Sequence, residues 1–354
     1  MDYTVVTAWY DVRTKENHAL KDKTTDDFFC TTATYFEKAV PFFQKPFPMV
    51  IFTEARFRES ILAARPIELH DKTLIIVKEY EELTLYDQFP TFEENHHKNR
   101  VINLDTQKFT PLYKFLVNQK TNFVREIVET NPFQTTSFAW MDLRLHSTYD
   151  VSVEETTEVI NNIDPNRVKL MFMCDLPLWH IQGRYDFYSW TRGKVAAGFF
   201  AGRREPLLRF ADLCQEEFLE AIREHMSPSD EMIYSFVTAH HLDLFDPYVG
   251  DYCDCLRNQL KTKNSVYLAM PFFRASVERG NTFFVARLAD QLRLGQLENH
   301  IGMPLEDRSF VWFHGCVAHF ELGHADGHVY LEEYKGFSSD SEIGELEKRV
   351  GLYR

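Results

Sequence analysis

Three short apolar runs near the start of the chain have the pattern of buried β-strands. They cover residues 3–9, 49–53 and 73–77, and each is rich in β-branched or aromatic residues. Between the first two runs, apolar residues recur at helical spacing over residues 26–40. Buried strands separated by helical segments are typical of a parallel sheet that helices cover on both faces. The chain is therefore predicted to begin with a β-α-β unit.

The same patterns continue along the rest of the chain. Apolar positions fall on one helix face throughout residues 111–130, so we predict one continuous helix there. Further strands are predicted at residues 138–145, 170–174 and 195–202, and further helices from Pro206 and from Ser227 to about residue 241. The last ninety residues have a mostly helical pattern. These elements predict a mixed α/β fold, with a mainly parallel sheet sandwiched by helices and a mostly helical C-terminal extension.

Charge and composition narrow the classes of partner. Among the 354 residues, 39 lysines and arginines face 53 aspartates and glutamates, a net charge of −14 that repels nucleic acid and anionic membranes. No apolar stretch approaches the length of about 18 to 20 residues that a membrane span needs. The six cysteines are sparse and follow no metal or disulfide pattern. We expect a cytoplasmic protein with neither a nucleic-acid partner nor a membrane span.

Asp142 is the first candidate for chemistry. It is an acid at the carboxyl end of an apolar strand, where open α/β sheets bind ligands, and a carboxylate there suits Mg²⁺ or Mn²⁺ bound to a diphosphate. A D-x-D metal motif would need a second acid two residues later, where this chain has Arg144. An ion pair between Asp142 and Arg144 on the surface is the structural alternative.

Lys120 lies inside the apolar stripe of the helix predicted at residues 111–130, between Leu116 and Phe123. A basic residue in that stripe needs a partner. One interpretation is a snorkelling lysine whose stem covers the sheet, and the other is an ammonium group directed at an anionic ligand.

Two acids, Asp230 and Glu231, stand in the first turn of a predicted helix. Ser227 with Asp230 resembles a helix capping box, and the helix dipole favours acids in the first turn, which is the structural interpretation. In the functional interpretation, one carboxylate takes a proton from an acceptor hydroxyl while the other orients that hydroxyl or a metal ion. The sequence leaves both open.

Other enzyme classes have less support. Four histidines near the C-terminus lack the H-E-x-x-H spacing of zinc proteases: His314, His319, His324 and His328. A metal-dependent hydrolase built on them is a third, weaker interpretation. The chain has no Walker P-loop, no G-x-G-x-x-G after its first strand and no G-x-S-x-G elbow. Kinases, nicotinamide dehydrogenases and α/β-hydrolases are disfavoured.

Seven segments, taken in order, resemble the HtrL/YibB family, which is similar to glycosyltransferases of the GT-A type. They are residues 4–11, residues 48–53, the helix with Lys120, the Asn131-Pro132-Phe133 motif with residues 138–142, residues 198–202, residues 229–231 and residues 245–252. The match spans roughly residues 1–258. Its most specific parts are the N-P-F to W-x-D segment and the closing G-D-Y.

The resemblance implies a role for each matching position. It places Thr7, Ala8 and Tyr10 at the nucleotide end of the first strand, Lys120 facing the diphosphate, Asp142 in place of the metal-binding D-x-D, Gly198 and Gly202 beside donor and acceptor, and Asp230 or Glu231 as the catalytic carboxylate. Arg144 departs from the family pattern, and we expect it to neutralise phosphate and partly replace the ion.

The function that the resemblance implies is metal-assisted glycosyl transfer. The donor is expected to be a nucleoside diphosphate sugar, with a UDP-sugar favoured, the ion Mn²⁺ or Mg²⁺, and the acceptor a hydroxyl group of a glycan or another molecule. Residues 1–260 are expected to form the catalytic domain, and residues 261–354 an extension that packs on it. A non-catalytic sugar-binding or assembly protein with the same fold is the alternative from another class.

Overall fold

The protein has a mixed α/β fold, as predicted. The structure, a computed structural model, describes residues 1–12, 32–98, 110–143, 152–173, 183–190, 194–250, 265–299 and 303–351. In that part of the chain the strands are β1 Tyr3–Trp9, β2 Met49–Thr53, β3 Thr73–Val77, β4 Ser137–Met141, β5 Val168–Phe172, β6 Val195–Arg203 and β7 Phe245–Val249. They form one sheet in the order β3-β2-β1-β4-β6-β5-β7.

The four strands β3, β2, β1 and β4 form the parallel part of the sheet. β1 pairs in parallel with β2 and with β4, and β2 pairs in parallel with β3. β6 runs antiparallel to β4. All five residues of β2 and all but one of the seven residues of β1 are buried. Strands buried on both faces have continuous apolar sequences, which is why these two were predicted correctly.

The helices occupy the connections and the C-terminal region. In order along the chain, the described α-helices are α1 Thr32–Phe43, α2 Arg58–Ala64, α3 Phe89–Lys98, α4 Pro111–Val117, α5 Lys120–Thr130, α6 Val153–Asn161, α7 Arg184–Trp190, α8 Arg204–Arg223, α9 Asp230–His240, α10 Ser265–Glu278, α11 Thr282–Asn299, α12 Leu305–Glu321, α13 Asp326–Lys335 and α14 Asp340–Val350. α1 begins within the helix predicted at residues 26–40, the first part of which lies outside the described residues. None of the described helices has both the length and the apolar composition needed to cross a bilayer.

The chain divides into two compact units. The first comprises Met1–Lys169 and Pro177–Phe245, and the second Leu170–Leu176 and Asp246–Arg354. In the second, α11 packs on α10 and α12, and α12 also packs on α13. The predicted mostly helical character of the C-terminal region is confirmed. The predicted division into residues 1–260 and 261–354, and the packing of the extension on the first part, remain predictions.

The single helix predicted at residues 111–130 is wrong, because the chain breaks it into α4 and α5. At the break, the Asn118 side-chain amide donates to the carbonyl of Lys114 at 2.8 Å and to the carbonyl of Pro228 at 3.0 Å. The Gln119 backbone N–H bonds three residues back, to Leu116, as in a 3₁₀ turn. The break makes Lys120 the first residue of α5.

α4 and α5 hold the segment that precedes α9. α5 packs on β1 and β4, and α9 packs on β6. Lys114, on α4, is fully buried and donates from Nζ to the carbonyl of Ser227. Together with the Asn118 amide on Pro228, this bond fixes the chain just before Asp230.

Burial lowers the pKa of Lys114 to about 7. Because the unfolded chain keeps an ordinary lysine pKa, it binds more protons than the folded chain between about pH 7 and pH 10. We therefore expect the free energy of unfolding to rise with pH in this window, by up to about 1.4 kcal/mol per pH unit from this group. Urea unfolding of the wild type and of Lys114→Met tests this, since the variant lacks the group. Parallel pH profiles for the two proteins would contradict it.

Candidate functional site

The candidate site lies where the strand order reverses. β1 has β2 on one side and β4 on the other, and in such sheets the crevice at the carboxyl ends of the two diverging strands is where ligands bind. Val6 of β1 pairs with Trp140 of β4. Ala8 comes two residues after Val6, and Asp142 comes two residues after Trp140, directly beyond the end of β4. The ends of β1 and β4 thus bring the predicted nucleotide segment and the predicted metal ligand to one edge of the sheet.

Three of the predicted site residues meet there. The Lys120 ammonium lies 2.8 Å from Asp230 Oδ2 and 3.1 Å from Asp142 Oδ1, and it donates to the carbonyl of Ala197 at 3.2 Å. We call Lys120, Asp142 and Asp230 the Lys120 cluster. An ammonium group has three protons, and three acceptor groups of the protein surround this one. The side chains of Lys120 and Asp230 are each only 8% exposed.

Asp142 is held from several directions yet stays accessible. Its Oδ1 accepts the indole N–H of Trp140 at 2.7 Å, and its backbone N–H donates to the carbonyl of Gly198 at 2.9 Å. The Trp140 ring is itself stacked between Phe123 and Phe200. The Asp142 side chain is 36% exposed, against 8% for Lys120 and for Asp230, so it is the most accessible member of the cluster.

Sequence reasoning missed Trp140 as a site residue, although the signal was present. Residues two apart on a strand point to the same face, so Trp140 and Asp142 share a face. An indole N–H buried near a carboxylate has an obvious acceptor. The tryptophan fixes the orientation of the carboxylate.

The cluster has strong internal electrostatics. Burial lowers the pKa of Lys120, but the negative charges of Asp142 and Asp230 more than offset that effect, and the net pKa lies well above its ordinary value. Burial raises the pKa of Asp142, and Lys120 opposes this rise. With both acids ionised, one ammonium and two carboxylates leave a net charge of −1. The cluster can attract one more cation.

The structure corrects two of the structural interpretations. Lys120 does not snorkel, because its ammonium is buried among acceptors. Ser227 and Asp230 do not form a capping box, since the N-cap residue of α9 is Ser229 and the Asp230 carboxylate contacts Lys120. Glu231 contributes its backbone N–H to Asp230 Oδ1 at 2.9 Å. The predicted ion pair between Asp142 and Arg144 stays a prediction, because Arg144 lies outside the described residues.

The three predicted nucleotide-binding positions lie on β1 or directly after it. Thr7 is fully buried in β1, and Ala8 next to it is partly exposed. Tyr10 is 7% exposed and stacks on Phe123 at the cluster end of the sheet.

Gly202 lies at the opposite end from Gly198. It pairs with Phe138, at the start of β4, whereas Gly198 bonds to Asp142 beyond the end of that strand. The structure therefore brings Gly198, but not Gly202, to the cluster.

The residues of the cluster could bind a divalent ion only in one way, through a single carboxylate with the remaining ligands supplied by phosphate and water. Among the described residues, no three histidines, cysteines, aspartates or glutamates form a group that could hold a metal ion. Mg²⁺ in phosphate-processing sites is commonly bound by one or two carboxylates, substrate phosphates and water. The exposed carboxylate of Asp142 suits that mode. The ion itself stays a prediction.

The C-terminal histidines do not assemble into a metal site within the described chain. His314 and His319 lie on α12 and His328 on α13. His319 instead bonds through Nε2 to Asp290 at 2.9 Å and through Nδ1 to His324 at 3.3 Å. The third interpretation, a metal-dependent hydrolase, gains no support from these contacts.

The fold and the cluster define a mixed α/β protein with a carboxylate site at the switch point of its sheet. The chain belongs to the HtrL/YibB family, as the resemblance predicted: the family model, described as "Bacterial protein of unknown function (HtrL_YibB)", matches residues 1–260. No curated protein gives a significant match to the sequence. The crystal structure of mouse xyloside xylosyltransferase 1 in its apo form aligns over 70% of this chain and 85% of its own, with 12% identity and a TM-score of 0.37. A likeness this loose carries no argument about activity.

The two glycines of β6 predict different responses to substitution. A Cβ at Gly202 would lie 3.1 Å from Leu207 Cγ and 3.3 Å from the carbonyl of Arg167, whereas one at Gly198 would meet Asp142 Oδ2 at an ordinary 3.5 Å. We expect Gly202→Ala to be less stable than Gly198→Ala by about 1–3 kcal/mol, as for other overpacked sites. Urea unfolding of the two variants measures the difference. Equal stabilities would show that β6 adjusts freely at its Gly202 end.

Proposed function

We propose that this protein is a glycosyltransferase, which moves a sugar from a nucleoside diphosphate sugar to a hydroxyl group of an acceptor such as a glycan. The observation that carries the proposal is the position of Asp142, an accessible carboxylate at the carboxyl end of β4 beside β1. The resemblance of the family to GT-A-type enzymes supports the same reaction. A UDP-sugar is the favoured donor.

The donor diphosphate would bind in the crevice between the ends of β1 and β4, next to Thr7, Ala8 and Tyr10. With both acids ionised, the Lys120 cluster has one more negative than positive charge, so it would not by itself attract a diphosphate. Asp142 would hold Mn²⁺ or Mg²⁺ jointly with the diphosphate, and the ion would supply positive charge for the leaving group. Lys120 acts on the donor only indirectly, because its ammonium group contacts Asp142, Asp230 and the carbonyl of Ala197 inside the protein.

Of the two acids at the start of α9, Glu231 is the better candidate for the base. Asp230 is nearly buried, forms an ion pair with Lys120 and accepts a hydrogen bond from the Glu231 backbone N–H. Glu231 is partly exposed on the same helix turn. In an inverting transfer, the acceptor oxygen bonds to the sugar carbon while the bond from that carbon to the diphosphate oxygen breaks. The electron pair leaves with the diphosphate, and Glu231 takes the hydroxyl proton. In a retaining transfer Glu231 would position the acceptor.

Nucleotide binding tests the role of Asp142. We expect calorimetry to show UDP binding that requires Mn²⁺, and Asp142→Asn to weaken it by about 10-fold to 100-fold, the effect of losing a charged contact. The matched control is Asp212→Asn, which removes a carboxylate that is 65% exposed on α8 and whose loss should leave binding unchanged. Binding of glycans without any binding of nucleotide would favour the non-catalytic alternative instead.

The role of Glu231 has a different kinetic signature. For Glu231→Gln we expect turnover to fall by about 10²-fold to 10⁴-fold, since a general base is lost, while the affinity for UDP with Mn²⁺ stays that of the wild type. Release of sugar from a panel of UDP-sugars, with water as acceptor, measures turnover. Glu220→Gln, on α8 with a side chain that is 40% exposed, is the control. Unchanged turnover in Glu231→Gln would remove Glu231 from the chemistry.

A further inference from the structure

The place between the two carboxylates of the Lys120 cluster is filled by a cation that belongs to the chain. A single ammonium contacts Asp142 at 3.1 Å and Asp230 at 2.8 Å. Two neighbouring carboxylates are otherwise a natural site for a divalent ion, because such ions prefer charged oxygen ligands. Here a lysine side chain takes that position.

This ammonium is firmly held. It donates to Asp142 Oδ2 and to the carbonyl of Ala197, on β6, each at 3.2 Å, and the lysine side chain is only 8% exposed. Moving it away would leave two carboxylates close together without a counter-ion, which is a costly arrangement in a buried site. A divalent ion close to it would face a positive charge that cannot retreat into solvent.

The carboxylates offer unequal access to a second cation. Asp230 is 8% exposed, and its Oδ1 accepts the Glu231 backbone N–H. Asp142 is 36% exposed. An entering ion therefore finds one accessible carboxylate, and a single carboxylate holds Mg²⁺ or Mn²⁺ weakly unless phosphate oxygens complete the coordination.

We propose that Lys120 is a positioning residue that makes divalent-ion binding depend on the nucleotide: it blocks the site between Asp142 and Asp230, so that the ion binds only together with a diphosphate. The inference rests on the proposed function for the identity of the diphosphate ligand. It adds an order of binding, in which the ion and the nucleotide enter as one complex. The contact of Lys120 with both acids carries it.

Titration with Mn²⁺ alone, followed by the electron paramagnetic resonance signal of the free ion, tests the block directly. We expect no saturable binding to the wild type in the absence of nucleotide, and binding when UDP is present. In Lys120→Met the position between the carboxylates is vacated, so Mn²⁺ alone should bind at least about tenfold more tightly than to the wild type. Lys120→Met/Asp230→Asn, which keeps one carboxylate, should lose that gain. Lys120→Arg, which keeps the positive charge, should not show it.

Two outcomes would overturn the inference: Mn²⁺ alone binding to the wild type as tightly as it binds with UDP, or Lys120→Met showing no gain. If circular dichroism shows that Lys120→Met does not fold, the comparison of the wild type with and without UDP decides the matter. If instead UDP fails to bind under every condition, the proposed function fails, while the Mn²⁺ titrations of the variants still decide whether Lys120 blocks the site.

Discussion

The buried ammonium of Lys120 is the constraint on which the candidate site depends. A charge at 8% exposure is tolerable only when opposite charges and hydrogen-bond acceptors surround it. Its acceptors come from three distant parts of the chain, after β4, at the start of α9 and on β6. The packing of α5 on β1 and β4 has to be correct before any of them is in reach. The site is therefore a product of the whole first unit.

Local pattern predicted six of the seven described strands, missing β7, and it did not predict the helix break; the reasons are physically different. A strand buried on both faces has an apolar sequence that is visible without knowledge of its neighbours. The break between α4 and α5 has no such signal, because Asn118 obtains its second acceptor from Pro228, 110 residues further along the chain. A side chain that satisfies a distant carbonyl can end a helix whose own sequence is periodic.

The site residues follow the same division. Lys120 and Asp142 were each singled out because a charge stood at an unexpected place in an apolar pattern, and Asp230 because it stands in the first turn of a predicted helix. The contact of both carboxylates with one ammonium group could not be predicted from local sequence, because the three residues meet only in the folded chain. Gly202 shows the limit most clearly. The resemblance paired it with Gly198, and both lie on β6, but the direction and register of β6 against β4 decide that Gly198, and not Gly202, lies beside Asp142.

Lys114 and Lys120 show how two buried lysines on successive helices serve one segment. Burial lowers the pKa of Lys114, whereas two carboxylates raise the pKa of Lys120 despite its burial. Lys114 bonds to Ser227 and Lys120 to Asp230, with the Asn118 amide on Pro228 between them. The start of α9 is thus fixed at three points by the two helices. Because Glu231 is the next residue, its position relative to Asp142 is set by these contacts and not by a flexible loop.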